Sequence, residues 1–243
     1  LIIRLSDGDA RRSLNLLEFC SDAVKDKDKK ITRDIVRELS QKRHLIYDKA
    51  GEEHYNLISA LHKSLRSSDP DAALYWLGRM LAAGEDPLYI ARRMIRFASE
   101  DIGNADPQAL PLAIAARQAY ETLGSPEGEL ALAQAVIYLA TAPKSNSTYA
   151  AYENVMEVIR ETGTLPVPKV IRNAPTQLMK NLDYGKGYEY DHELPEHFAP
   201  KECLPDELEG RHFYEPGTFG FEKEIKKRLA WWEKIRKEKK SKD

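Results

Sequence analysis

The sequence is short of several things, and each shortage removes a class of protein. Cysteine occurs twice in 243 residues, at Cys20 and Cys203, too few and too far apart for a disulfide framework or a zinc site. The histidines at 44, 54, 62, 192, 197 and 212 lack metal-ligand spacing, so no metal site is expected. No apolar run approaches the ~20 residues of a membrane span. No serine or cysteine sits in a nucleophile motif. The pattern G-x-x-x-x-G-K-[ST] is absent, so nothing here cradles a nucleotide's phosphates, and no catalytic residue is expected in this chain. There is no signal peptide, and the opening LIIRLSDGD lacks an initiator methionine, so we expect a piece of a longer protein. The two isolated cysteines suit a reducing cytoplasm.

Charge of one sign is also missing. Lysine and arginine number 37 against 39 acids, a net −2 that gives no global attraction to nucleic acid. Its distribution is uneven. Asp183–Gly210 carries nine acids and two lysines, whereas Glu222–Asp243 carries eight lysines and two arginines against five acids. The acidic segment offsets the basic tail, so the final helix is expected to contact DNA weakly and in a salt-sensitive way.

What is present is helical punctuation. Asp69-Pro70, Asp86-Pro87, Asp106-Pro107 and Ser125-Pro126 each place an N-cap residue before a proline suited to a first helical turn. Gly84, Gly103, Gly124 and Pro143 supply the stops. Four helices joined by short connections must be antiparallel neighbours. The helix after Pro87 carries two apolar stripes: Leu88, Ala91, Ile95, Ala98 and Ile102, then Ile90, Met94 and Phe97. Its third face holds Arg92, Arg93 and Arg96, a solvated face or a phosphate-tracking stripe. The helix from about Glu52 to Leu65 turns Tyr55, Ile58, Leu61 and Leu65 inward. A further helix over Ser147–Thr162 aligns Tyr149, Tyr152, Met156 and Ile159.

At the start, Asp9 is placed to cap a helix with Ala10, Leu14 and Leu17 inward. Arg11 and Arg12 occupy its first turn, where cations oppose the helix dipole. Thr32 precedes a second helix with Ile35, Val36 and Leu39 inward. The last third is proline- and glycine-rich. Tyr188-Glu189-Tyr190 and His212-Phe213-Tyr214 are candidate short strands in it. Gly185-Lys186-Gly187 reads as a simple turn or a phosphate loop, and Lys144-Ser145-Asn146-Ser147 as a helix cap or an anion site. In the final helix, Trp231-Trp232 suits inward packing or stacking on bases.

The pattern Gly8-Asp9-x-Arg11-Arg12-x-Leu14-Asn15 resembles the helical lid of AAA+ ATPases of the clamp-loader branch. That resemblance makes Arg11 the candidate sensor-2 residue, reaching the γ-phosphate, with Asp9 and Arg12 as supporting candidates. The blocks from DKAGEEHYNLISALHKSL to SEDIGNADPQAL, then YLATAPKSNSTYAAY, NAPTQLMKNLDYGKGYEYDH and GRHFYEPGTFGFE, resemble one family along essentially the whole chain. It is the RarA/MgsA replication-associated ATPases, relatives of the Werner-helicase-interacting protein.

The resemblance implies an all-α fold. Residues 1–45 would be a partial AAA+ lid, and 46–243 a helical oligomerisation domain with an irregular or β segment at 170–220 and a terminal helix at 221–240. It implies ATP and Mg²⁺ in the full-length protein and none in this half. It also implies a homotetramer, DNA with single-stranded gaps or ends and single-strand-binding protein as partners, no membrane, and a cytoplasmic, nucleoid-associated location. A helical scaffold without a nucleotide role and a clamp-loader subunit are the alternatives.

Overall fold

The computed structural model describes residues 1–5, 10–24, 30–43, 52–194 and 196–240. Every regular element among them is a helix, in agreement with the all-α expectation. The chain divides into two units, Leu1–Phe97 with Leu110–Ala142, and Ala98–Ala109 with the chain from Pro143 on.

The first unit begins with α1 (Ile2–Leu5), α2 (Ala10–Val24) and α3 (Arg33–Arg43). Leu16 and Cys20, one turn apart on α2, bury against Val36 of α3, with Ile2, Leu5 and Leu39 packed around them. Thr32 caps α3, its Oγ1 accepting from the Ile35 amide at 3.3 Å. The expected inward face of α2 is corrected here. Leu14 is 66% and Leu17 44% exposed. At 100° per residue, a face centred on Leu16 and Cys20 turns Leu14 to the opposite side.

Next come α4 (Glu52–Arg66), α5 (Pro70–Ala82), α6 (Pro87–Phe97), α7 (Ala109–Leu123) and α8 (Glu129–Thr141). Asp69 caps α5 by accepting from the Ala72 amide at 2.9 Å, and Asp86 accepts from the Leu88 amide at 3.0 Å. Gly84 ends α5 at φ 77°, letting the Glu85 amide reach the Met80 carbonyl at 3.0 Å. Asp106 does start a helix, but two residues late: its carboxylate takes the Gln108 amide and its carbonyl the Ala109 amide.

Ser125-Pro126 is not a helix start. Residues 125–128 form a turn instead. The Gly128 amide bonds the Gly124 carbonyl at 2.6 Å, and a Cβ on Gly128 would lie 2.9 Å from the Tyr120 Cα. The Ser125 hydroxyl is bonded to the Tyr120 hydroxyl at 3.0 Å, and α8 begins at Glu129 without a side-chain cap.

Leu61 and Leu65 of α4, Leu77 and Met80 of α5, Ile90, Met94 and Phe97 of α6, and Leu132, Val136 and Leu139 of α8 are fully or almost fully buried. The Ile90, Met94 and Phe97 stripe of α6 is thus buried; of the other stripe Ala91, Ala98 and Ile102 are buried, and Leu88 and Ile95 are half-buried. Tyr55, expected inward, is 65% exposed, because Leu57 and Ile58 take the buried face of α4. His54 instead pairs with buried Glu85, which also accepts from the Asp86 amide at 3.0 Å, and so ties α4 to the α5–α6 turn.

The second unit opens with a π-helical turn, Ala98–Ile102, and a 3₁₀ turn, Gly103–Ala105. It continues with α9 (Ser147–Thr162), short α10 (Gln177–Asn181) and α11 (Glu222–Lys240). Between α10 and α11 the described chain forms turns and no strand, so the expected strands at Tyr188–Tyr190 and His212–Tyr214 are corrected. The backbone groups of the first are engaged elsewhere. The Tyr188 amide bonds the Gly185 carbonyl, the Tyr190 carbonyl accepts from Glu193, and the Glu189 carbonyl accepts from Lys201.

This segment is held down by side chains. Asp191 takes the Lys201 ammonium at 2.7 Å and the Ala199 amide at 2.9 Å. Phe198 stacks on Trp232 with centroids 6.3 Å apart, and Lys239 reaches the Phe198 carbonyl at 3.4 Å. Trp232, still 36% exposed, therefore has a ring partner, while Trp231 is 47% exposed.

Candidate functional site

The residues singled out on the lid are placed only in part. Arg11 and Arg12 fall in the first turn of α2, as expected. Their side chains, and Asp9 altogether, lie outside the described residues. On α6, Arg92 is exposed and sits 5.2 Å over the Tyr89 ring, and Arg96 is exposed. Lys186 of the Gly185-Lys186-Gly187 turn pairs with Asp183 at 3.0 Å. Among the described residues no group of histidine, cysteine and acidic side chains is arranged to hold a metal ion.

The densest polar constellation among the described residues is one that sequence reasoning missed. Glu222, at the start of α11, is completely buried. Its carboxylate accepts from Ser145 Oγ at 2.6 Å, from Ser147 Oγ, from the Tyr214 hydroxyl at 2.9 Å and from the Gly217 amide at 2.8 Å. Ser147 is the first residue of α9, so the carboxylate also meets the positive end of that helix dipole. The Lys144–Ser147 loop does receive an anion, but the anion is the protein's own glutamate.

Burial alone would push the Glu222 carboxyl up. The Ser145, Ser147, Gly217 and Tyr214 donors outweigh it and hold the group below the usual glutamate value. The Tyr214 hydroxyl is pushed up, first by burial, with a hydrogen bond to Asn104 pulling the other way and Glu222 adding to the rise. Burial lowers the neighbouring Lys144 ammonium against the opposing attraction of Asp101.

Backbone contacts complete the junction. The Phe221 amide donates to the Ala105 carbonyl at 2.7 Å, and the Ser145 amide to the Asp101 carbonyl at 2.8 Å. A Cβ on Gly220 would stand 2.1 Å from the Ala105 oxygen, and φ there is 55°, so only glycine fits. Three stretches far apart in sequence, 101–105, 144–147 and 214–222, thus converge on one buried charge. A first-turn acid is common at any helix start, which is why Glu222 gave no local signal.

Comparison with known proteins places the chain. The family described as MgsA AAA+ ATPase C terminal matches residues 67–233, and the AAA C-terminal domain matches residues 1–66. The chain belongs to the MgsA AAA+ ATPase C-terminal family.

Replication-associated recombination protein A of Coxiella burnetii is 49% identical over 243 residues, 99% of this chain and 55% of that protein. The Escherichia coli K12 protein of the same name is 46% identical over 234 residues, 95% of this chain and 52% of that protein. ATPase WRNIP1 of Dictyostelium discoideum is 43% identical over 233 residues, 88% of this chain and 27% of that protein. The chain thus spans about half the length of the bacterial relatives it matches. Of the blocks by which it resembles the MgsA family, parts of three, DIGNADP, APKSNS and GRHFYEPGTFGFE, are the ones that meet at Glu222. No described helix is long and apolar enough to cross a membrane.

Proposed function

We propose that this chain is the lid and oligomerisation half of a DNA-dependent AAA+ ATPase that acts in replication-fork maintenance and DNA repair. The observation that carries this reading is the order of the two matched modules, an AAA C-terminal domain over 1–66 followed directly by the MgsA C-terminal domain over 67–233. Residues 1–45 form the partial lid and 46–243 the assembly domain. Large apolar side chains left in solvent suit a homo-oligomer, a tetramer by family resemblance. On α8 Leu130 is 76% exposed, and on α9 Tyr152 and Ile159 are 63% and 51% exposed.

The residues of this chain do not form a nucleotide cradle, since no phosphate-binding loop occurs in the sequence. ATP and Mg²⁺ belong to the remainder of the full-length protein, a cytoplasmic, nucleoid-associated enzyme. Its partners are DNA with single-stranded gaps or ends and single-strand-binding protein. The contribution of this half to the nucleotide is Arg11, supported by Asp9 and Arg12. The first turn of α2 disfavours a cation, which suits a side chain serving an anion on a neighbouring domain.

The experiment is ATP turnover by the full-length protein with and without gapped DNA. DNA should stimulate it. Arg11→Ala should lower turnover about ten- to hundredfold, the equivalent of one charge-assisted contact to phosphate, without changing assembly. Unchanged kinetics in that variant remove Arg11 from the site, and turnover indifferent to DNA removes the DNA-dependent reading.

A further inference from the structure

The outer face of α11 is a stripe of lysines that neither the Glu222 junction nor the packing of the irregular segment uses. At 100° per residue, Lys223, Lys226, Lys227, Lys234 and Lys237 fall within about a third of the helix circumference, with Ala230 at the centre. All five lysines are exposed. The row is about 21 Å long at 1.5 Å per residue.

Trp231 lies on its edge, 47% exposed, while its neighbour Trp232 stacks on Phe198. The residues that bind the irregular segment, Trp232, Arg236 and Lys239, sit on the opposite side of the helix. Asp191 and Glu196 of that segment are taken by Lys201 and Lys239. Where the stripe begins, an open pocket of about 470 Å³ is lined by Gly217, Thr218, Lys223, Lys226, Lys227 and Ala230.

We propose that this face binds single-stranded nucleic acid, the phosphates following the lysine row and a base stacking on Trp231. A row of cations at helical spacing matches a repeating anion, and an exposed indole beside it offers a face to any base. The acids near the row do not block it. Glu224 pairs with Lys227 at 2.8 Å, Glu238 with Lys234 at 3.7 Å, and Glu233, on the Lys226 side of the helix, with His212 at 3.6 Å, exposed pairs that phosphate can displace. The row has room for about four nucleotides, the short end of single-strand site sizes, and a contact of this size is weak and strongly salt-dependent. An acidic peptide would use the lysines without needing the indole, so the indole decides between them.

The site deepens the DNA-dependent reading and rests on it for its purpose, though its test does not use ATP. A dye-labelled oligo(dT) is titrated with the full chain at several salt concentrations, binding read from the anisotropy of the dye and tryptophan emission followed alongside. Stacking should quench Trp231. Trp231→Ala should weaken binding at least fivefold, and Trp231→Phe should restore part of it.

Lys226→Gln, Lys234→Gln and Lys237→Gln together should weaken binding at least tenfold. They should also flatten the slope of log K against log salt by about 2, at roughly 0.7 per lysine. Amide exchange around Glu222 should stay unchanged in every variant, since none touches the junction. Absence of binding at low salt, or binding unaltered in these variants, overturns the proposal. So does a poly-glutamate peptide that competes fully and is indifferent to Trp231→Ala. If the lysine variants fail to alter binding while DNA still stimulates ATP turnover of the full-length protein, the stripe is refuted and the ATPase reading stands. If DNA never stimulates turnover, that reading fails, and the oligonucleotide titration still judges the stripe.

Discussion

Glu222 shows how one residue acquires a role from partners it cannot see in sequence. A buried carboxylate is costly unless its lone pairs are filled, and here four donors fill them. Glu222→Ala strands those donors around a cavity and should destabilise the second unit by about 3 kcal/mol. Hydrogen exchange locates the loss: amides of α9 and of 214–222 should exchange faster, while α4, α5 and α8 keep their protection.

The pH dependence has a definite sign. The folded carboxyl lies below its usual value, so its stabilisation is fully present above about pH 4.3, the unfolded value, and is lost as pH falls through the folded one. Protection of those same amides should therefore hold steady from pH 7 to 5 and decline below about 4.

Among the helices, the caps are the most local devices and the easiest to test. Asp69→Ala should cost about 1 kcal/mol through loss of the bond to the Ala72 amide, and Asp69→Asn should retain most of it. Thermal melts followed by circular dichroism should show a drop of about 2–4 °C for the alanine variant.

The same locality explains what the sequence disclosed. Asp69, Asp86 and Gly84 act on amides and carbonyls a few residues away, so α5 and the start of α6 were legible. Ser125-Pro126 carried the same signal and misled, because the Ser125 hydroxyl is bonded to the Tyr120 hydroxyl and caps no helix. Tyr55 and Leu14 misled for a related reason. Periodicity shows that a helix has an apolar side, but neighbours such as Val36 decide which residues centre it. The Glu222 site was illegible, since its serines lie 75 and 77 residues earlier in the chain. Trp231 and Trp232 were separable only once Phe198 was seen to choose one of them.

At the scale of the whole molecule, the chain should assemble. Light scattering at micromolar concentration should give a multiple of 27.7 kDa, with four copies expected, each contact burying at least about 1,000 Å². Leu130→Glu, at a side chain 76% exposed, should leave helicity and melting of the first unit nearly unchanged and reduce the mass towards a single copy. A single-copy mass for the unaltered chain at these concentrations defeats the assembly reading.

The junction around Glu222 also governs the order in which the molecule can be completed. Residues 98–109 belong to the second unit although the chain on both sides of them belongs to the first. Synthesis delivers Asp101, Ala105, Ser145 and Ser147 long before residue 222 leaves the ribosome. Until then the two hydroxyls and the start of α9 have no carboxylate to hold. The helix bundle of the first unit can close while translation continues, but the second unit must wait for residue 222. A nascent chain that stalls or is cut before Gly217 would carry a finished bundle and an open partner, a difference for proteases to read as a mark of incompleteness.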